Sequence, residues 1–421
     1  MTDVLMIGTG EYTTGYSPTS VAESDKGAGV VGVVMIDLRR RGGRVKRLGL
    51  CGVNGKKLPA IREHMKKNIA DAYTDMDCSM ESFPGDDEVD PKAYLKALDA
   101  FKPGDCVTVF TPDDTHYEIT RAAVERGMHV LTTKPLVKTL EEHRDLIQLA
   151  REKKVLLMCE VHKRFDPIYT DARDRSAALG DFSYMNAYMS QPKTQLETFK
   201  SWAGKASDIS YYLNSHHIDF HEWCSAGRAR PVSVTANAST GVAEKIVSAD
   251  SCEDTITLLV QWENRESGSL GTAVYTSSWI APPGEVHSQQ RFFYMGHKGE
   301  IRVDQAHRGF EVATDESGYA SCNPLFMKYK PNPQGEFAGQ LGYGYRSIEA
   351  FVSYATALRE GKCTIEDCNR DLPTVETTML TTAVLEAGRQ SLDNGSMPVR
   401  ILYDDAESWG EPTGLKVVGS A

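Results

Sequence analysis

The sequence predicts a chain of mixed class, α/β followed by α+β: a doubly wound parallel sheet, then a domain on an open, mostly antiparallel β-sheet. Three observations predict it. Through the first third of the 421 residues, short apolar runs alternate with helical patterns, the rhythm of parallel strands joined by crossover helices. After Asp166 the texture changes to closely spaced strands with few helices between them. The loops that close the early strands are rich in Gly, Asn, Thr, Pro and Lys. They stand at the carboxyl ends, where an open α/β sheet gathers its ligand.

Taken in order, residues 4–7 are the first apolar run, closed by Gly8-Thr9-Gly10, and residues 48–53 the second, running into Asn54-Gly55-Lys56-Lys57. Residues 106–110 end at Thr111-Pro112-Asp113-Asp114, and the helical pattern 117–126 leads to Gly127. Val130-Leu131 stops at Thr132-Thr133-Lys134-Pro135, a charged amphipathic helix spans 140–153, and 155–161 is the last run of this half. Residues 30–47 and the acidic stretch 75–90 read as elaborations. Beyond Asp166, strands are expected at 182–188, 232–238, 255–262, 269–275, 292–295 and 300–303, with amphipathic helices at 345–359 and 375–393. The division is therefore 1–162 for the first domain and 163–421 for the second.

Composition narrows the function classes. With 47 Lys and Arg against 58 Asp and Glu, the formal charge is −11. No basic excess exists to release counterions, which argues against nucleic acid or an anionic membrane as partner. No stretch approaches the roughly 18 apolar residues of a membrane span. Nine scattered cysteines lack the paired spacing of a zinc site and suit a reducing compartment. The N-terminus has no basic stretch before its first apolar run, so a cytoplasmic protein is expected.

Gly8-Thr9-Gly10 directly after a strand fits a Rossmann dinucleotide-binding turn, with Glu11 and Tyr12 opening the following helix. The third glycine of that fingerprint would fall at Thr13, and Gly15 comes two residues late. After the second run no carboxylate awaits a ribose; Gly52, Asn54 and Lys56 stand there instead. Lys56 or Lys57 meets a 2′-phosphate on one reading and solvent on the other. NAD is the expected cofactor, with NADP as the alternative.

The loops Thr111-Pro112-Asp113-Asp114-Thr115-His116, Gly127 to Pro135, Arg164-Phe165-Asp166-Pro167, the pair His216 and Asp219, and the turn Gly296-His297-Lys298-Gly299 follow one another in a distinctive order. In these the chain resembles the glucose–fructose oxidoreductase / inositol dehydrogenase (Gfo/Idh/MocA) family, from Val4 to the final helices. The resemblance implies a nucleotide domain followed by an open-sheet domain that binds sugars and polyols. It places Lys134 beside nicotinamide and substrate, where an ammonium stabilises a developing alkoxide. Thr111, Pro112, His116 and Thr133 would shape the nicotinamide side, His116 equally serving as a helix cap.

The segment 210–223 is the second centre. As a helix it would set Tyr212, His216 and Asp219 on one face. Many relatives carry an aspartate where Tyr212 stands, so Tyr212 could itself move a proton or bind a substrate oxygen. His216 is the expected acid/base, and Asp219 either orients it or secures the helix. His217, His221 and Glu222 lack the order of a zinc protease motif, and no metal is expected. Lys163, for an anionic group, and His217 are substrate candidates, with Gln191, Lys193 and Trp202 as weaker ones. Arg164 reads as an interdomain ion pair.

The expected activity is NAD(P)-dependent oxidoreduction at a CH–OH group of a sugar, polyol or glycoside, neutral or anionic. The alternative is an NAD-dependent glycosidase using transient C3 oxidation, elimination, water addition and re-reduction. A third reading is a non-catalytic ligand sensor. An open sheet leaves one broad face to cover, so a homo-oligomer, dimer or tetramer, is expected.

Overall fold

The computed structural model describes residues 2–17, 27–42, 44–248, 251–282, 284, 288–307, 309–315, 318–404 and 409–419. They form two units: residues 1–136, 145–165 and 325–376 in the first, residues 137–144, 166–324 and 377–421 in the second.

The first unit holds a six-stranded sheet of β1 (Thr2–Ile7), β2 (Val45–Cys51), β3 (Glu81–Phe83), β4 (Cys106–Val109), β5 (His129–Thr133) and β6 (Leu157–Glu160). Their order is β3-β2-β1-β4-β5-β6, and every pairing is parallel. Between them run α1 (Glu11–Thr14), α2 (Val31–Arg40), α3 (Leu58–Met65), α4 (Ala93–Asp99), α5 (His116–Glu125) and α6 (Leu140–Lys153). Helices on both faces explain why Val4, Leu5 and Met6 are apolar without alternation and all buried. Strand order reverses between β1 and β4, so the turns after these two strands flank the crevice where such sheets bind ligands.

Two expectations change here. Residues 30–47 are no elaboration: they supply α2 and the start of β2. Val31 to Leu38 are all buried, so α2 is apolar nearly all round and has no amphipathic period to read. Its one buried carboxylate, Asp37, accepts from Arg40 and, at 2.8 Å, from the Tyr345 hydroxyl. The acidic stretch 75–90 contains β3, whose three residues are too few to show a strand pattern.

The second unit opens with α7 (Pro167–Ser176), β7 (Phe182–Pro192), α8 (Thr194–Phe199), α9 (Ser215–Ser225), β8 (Ala229–Ser239) and α10 (Ala243–Val247). It continues through β9 (Thr255–Asn264), β10 (Leu270–Ala281), β11 (Gln290–Gly296), β12 (Gly299–Asp304) and the hairpin β13 (Phe310–Thr314) and β14 (Gly318–Cys322). The chain then makes α11 (Tyr343–Arg359) and α12 (Ile365–Asp371), and ends with α13 (Met379–Asp393), β15 (Val399–Tyr403) and β16 (Pro412–Val417). The main sheet has eight strands in the order β12-β11-β7-β10-β9-β8-β15-β16, antiparallel except for β7 with β10. All six strands read after Asp166 are present, several of them longer than expected. The last pair, β15 and β16, carries too little apolar alternation to be read from sequence.

The division at residue 162 is too simple, because α11 and α12 lie in the first unit. Ile348, Phe351 and Val352 of α11 are fully buried in the same core as α2, Leu156 and Met158. Each such side chain contributes about 1.5–3 kcal/mol on burial. Ser347 on the same helix donates to the buried Glu160 at 2.8 Å.

Candidate active site

At the end of β1, Gly8 has φ +112°, and a Cβ there would stand 2.0 Å from the Phe110 carbonyl oxygen. Its role is to let the β1 and β4 ends approach, since only glycine fits. Gly10 differs: it precedes α1 with no side-chain cap, and a Cβ would meet nothing within 4 Å. That open cradle at a helix start fits a dinucleotide pyrophosphate. The close-packing glycine missing at Thr13 is supplied by Gly32 of α2, where a Cβ would lie 2.7 Å from the Thr13 carbonyl oxygen. Intervening residues separate it from the fingerprint spacing, so sequence reading missed it.

These positions make separable predictions. Gly10→Ala should keep the wild-type melting temperature and lose about tenfold or more in NADH affinity, about 1.4 kcal/mol. Gly8→Ala should lower the melting temperature as well. Titration by fluorescence beside a thermal melt checks both.

Around the crevice, Tyr12 stacks on Phe110 at 5.5 Å. Gly52, at the end of β2, could carry no side chain without meeting Thr9, whose Cγ2 would be 2.7 Å from a Cβ. Thr9 thus fills the place of the missing carboxylate. Asn54 accepts from the Lys56 amide at 3.1 Å and caps the next turn, while Lys56 and Lys57 are exposed. The Thr111 hydroxyl is held by Thr115 at 2.8 Å, and Pro112 is exposed. His116 is wholly buried, with Nε2 2.9 Å from the Thr111 carbonyl and Nδ1 2.8 Å from that of Pro135. It neither caps α5 nor opens to a ligand; it joins the loop after β4 to the loop after β5. Thr133 ends β5 and Lys134 follows, both half-buried, and Pro135 after them is buried. Lys163 is only 2% exposed, so it sits in the interior rather than open to an anion, and Arg164 is also buried.

In the second unit, the residues before α9 form a π-helical turn, Ser210–Asn214, which carries Tyr212. The regular α spacing assumed between Tyr212 and His216 therefore does not hold. Every residue of α9 except Trp223 is buried. A polar helix buried all round must satisfy its side chains from its neighbours. The His217 ring lies 3.1 Å from the Tyr169 hydroxyl and stacks on that ring, which gives it a packing role. Glu222 accepts from the Leu380 and Thr381 amides at 3.0 and 2.8 Å and caps α13. His221 Nδ1 lies 2.6 Å from the Tyr275 hydroxyl, among Phe182, Trp262 and Tyr294.

Burial pushes the His221 imidazole down to about 3. Its contribution to stability is complete above the ordinary 6.5 and is lost as pH falls toward 3. His216 and Asp219 are 5% and 1% exposed. Lys193 is exposed before α8, and Trp202 packs with Phe199 and Tyr212. Sequence reading had no signal for the Glu222 cap or for the paired Arg389 and Asp208, whose partners are more than 150 residues away.

A six-stranded parallel dinucleotide sheet followed by an open sheet with a buried histidine helix defines a class of two-domain oxidoreductases. Residues 2–161 match the oxidoreductase family with NAD-binding Rossmann fold, GFO/IDH/MocA, and residues 172–302 match the GFO/IDH/MocA C-terminal domain. The chain belongs to this family, and its N-terminal domain is an NAD-binding Rossmann domain. It is 24% identical over 308 residues to inositol 2-dehydrogenase of Rhizobium meliloti, covering 71% of this chain and 88% of that one. To scyllo-inositol 2-dehydrogenase (NADP(+)) of Bacillus subtilis it is 34% identical over 117 residues, 27% of this chain and 32% of the relative. The chain spans about a third of the length of the curated relatives it matches first. The solved scyllo-inositol dehydrogenase of Lactobacillus casei with NAD(H) and scyllo-inositol shares the fold, with TM-score 0.60 and 15% identity over 95% of this chain and 98% of that one. Among these relatives the activities named are those of dehydrogenases, and the glycosidase alternative gains no support from them. No helix among the described residues is long and apolar enough to cross a membrane.

Proposed function

We propose that the chain is an NAD(P)-dependent dehydrogenase oxidising a secondary CH–OH group of a cyclic polyol or sugar. The observation that supports this most is the match of both its domains to one family of oxidoreductases, with Lys134 kept at the end of β5. When bound, NAD(P)⁺ would supply the acceptor for the hydride that leaves the carbon. Lys134 supplies a cation to the oxygen as negative charge builds on it, and His216 takes the hydroxyl proton, with Tyr212 as an alternative carrier. Gly10, Glu11 and Tyr12 seat the pyrophosphate, and Asn54, Thr111, Pro112 and Thr133 line the rest of the cofactor. Reduction of a keto-sugar uses the same groups in reverse.

The test is incubation of the purified chain with NAD⁺ or NADP⁺ and a panel of myo-inositol, scyllo-inositol and D-glucose, following absorbance at the reduced nicotinamide band. Stoichiometric reduced cofactor and a ketone product support the reading; cofactor binding without turnover of any panel member sinks it. A homo-oligomer belongs to the same proposal, and a single monomer boundary in sedimentation velocity at micromolar concentration would remove it.

A further inference from the structure

We infer that His116 is a positioning residue for hydride transfer: its buried ring ties the Pro135 carbonyl, directly after Lys134, to the loop that follows β4, and so fixes where the Lys134 ammonium stands. This rests on the dehydrogenase reading and deepens it.

The place where the strand ladder stops is the first ground. Strands β4 and β5 pair in parallel from Cys106 beside His129 to Val109 beside Thr132. Beyond that rung the two chains run on as loops to Thr111 and to Pro135, and the imidazole lies between them. Nε2 is 2.9 Å from the Thr111 carbonyl oxygen and Nδ1 is 2.8 Å from that of Pro135. Carbonyl oxygens only accept, so a ring with one N–H bonds one of them and a doubly protonated ring bonds both. The ring is wholly buried, so solvent offers no substitute for a lost bond.

The unequal bracing of the two loops is the second. After β4 the chain braces itself: the Thr115 amide donates to the Pro112 carbonyl at 2.9 Å, and the Thr115 hydroxyl to that of Thr111 at 2.8 Å. Pro135 has no N–H with which to brace its own turn. Through the imidazole, the stiffer loop holds the other. One turn along α5, the Thr120 and Thr132 hydroxyls are 2.8 Å apart, pinning the same helix face to β5 itself. Helix α5 thus grips β5 at two heights, Thr120 within the strand and His116 past its end, next to Lys134.

The demand of the chemistry is the third. An ammonium that stabilises a developing alkoxide works only when it stands at the reacting oxygen, and a misplacement of about 1 Å costs on the order of 10²-fold in rate. The two links of the ring can be separated by substitution. An asparagine amide nitrogen reaches the position of Nδ1 and keeps a donor for the Pro135 carbonyl. A glutamine amide nitrogen reaches the position of Nε2 and keeps one for the Thr111 carbonyl. If His116 acts through Lys134, the asparagine link is the one that matters.

The experiment compares the full chain with His116→Asn, His116→Gln, His116→Leu and Thr120→Val, by stopped-flow hydride transfer from whichever of myo-inositol, scyllo-inositol and D-glucose it oxidises. Expected is transfer about 10²-fold slower in His116→Gln and His116→Leu and within about threefold of wild type in His116→Asn, with KM and NADH affinity kept in all three. Thr120→Val removes a buried bond of the same helix away from the loops, so it should lower the melting temperature and leave the rate. In a Lys134→Met background, His116→Gln should slow the residual rate by less than about twofold further. If His116→Leu does not fold, the asparagine and glutamine variants carry the comparison. Equal rates in those two, or a full additional loss in the Lys134→Met background, overturn the inference and leave the dehydrogenase standing. A second readout is independent of turnover: the ¹³C NMR signal of Lys134 in the reductively methylated protein, identified by its loss in Lys134→Met. It should move in His116→Gln and stay in His116→Asn and Thr120→Val. If the wild type oxidises no panel member, the dehydrogenase reading falls and this signal decides alone: movement in His116→Gln only keeps the clasp, and an unmoved signal removes it.

Discussion

Lys134→Met is expected to lower kcat by about 10²- to 10⁴-fold, the range for losing one group that acts on a proton or a developing charge. Methionine keeps much of the length and the apolar character of the stem at this half-buried position, so the fold should persist. NADH affinity should change little, because the proposed seat of the pyrophosphate is at Gly10, on a different strand end. Lys134→Arg should recover only a small part of the rate. A guanidinium stays charged and brings a rigid planar fork where a compact ammonium is needed. Stopped-flow measurement of hydride transfer separates this step from product release. A Lys134→Met enzyme with wild-type hydride transfer would remove Lys134 from the chemistry.

Arg389→Ala is expected to destabilise the second unit by about 3 kcal/mol, the lower end of the range for removing one partner from a buried ion pair, since Asp208 is buried and Arg389 half-buried. Arg389 on α13 meets Asp208 at 3.3 Å and Glu253 at 2.7 Å, and also pairs with Asp393. Asp208 stands two residues before the π-helical turn and accepts from the Tyr211 amide at 2.9 Å. Burial pushes its carboxyl up to about 6, against the pull of that amide and of Arg389. The sign of the pH dependence follows. A carboxyl whose folded value is raised adds stability that is complete below its ordinary 3.8 and is lost as pH rises through about 6. Without Arg389 the folded value rises further, so the cost of the substitution should be smaller at pH 5 than at pH 8. Urea unfolding at the two pH values checks this, and an equal loss at both would show that Asp208 is not the group left exposed to the penalty.

How much of this was legible in the sequence depended on the range of the interaction. Strands β1, β4, β5, β6 and those from β7 to β12 announce themselves as apolar runs, because a strand buried on one or both faces needs that pattern locally. Helix α2 did not, since a helix buried all round loses the period by which helices are read. The strand ends that carry the candidate site were legible: Gly10, Thr111 and Lys134 follow β1, β4 and β5, whose ends the sequence marks. It was illegible where a role is set by a distant partner. His217 looked like a ligand-binding group, yet Tyr169 holds it. Lys163, read as a group for a substrate anion, is buried, which the sequence did not show. The spacing of Tyr212 and His216 assumed an α-helix, and the π-helical turn shifts it. Gly32 does the work expected of Thr13 from beyond a stretch of intervening chain.

The return of residues 325–376 to the first unit has a consequence for biosynthesis. A ribosome releases the six strands of the dinucleotide sheet early, but α11 (Tyr343–Arg359), whose Ile348, Phe351 and Val352 share the core of α2 (Val31–Arg40), follows just over 300 residues after it. At the usual elongation rate of about 5–20 residues per second, that face of α2 waits on the order of 15–60 seconds for its cover. Most of the second unit, residues 166–324, is translated during that wait. The half that holds the cofactor is thus sealed only after most of the other half has emerged, and until then the nascent chain must keep an apolar surface from aggregating.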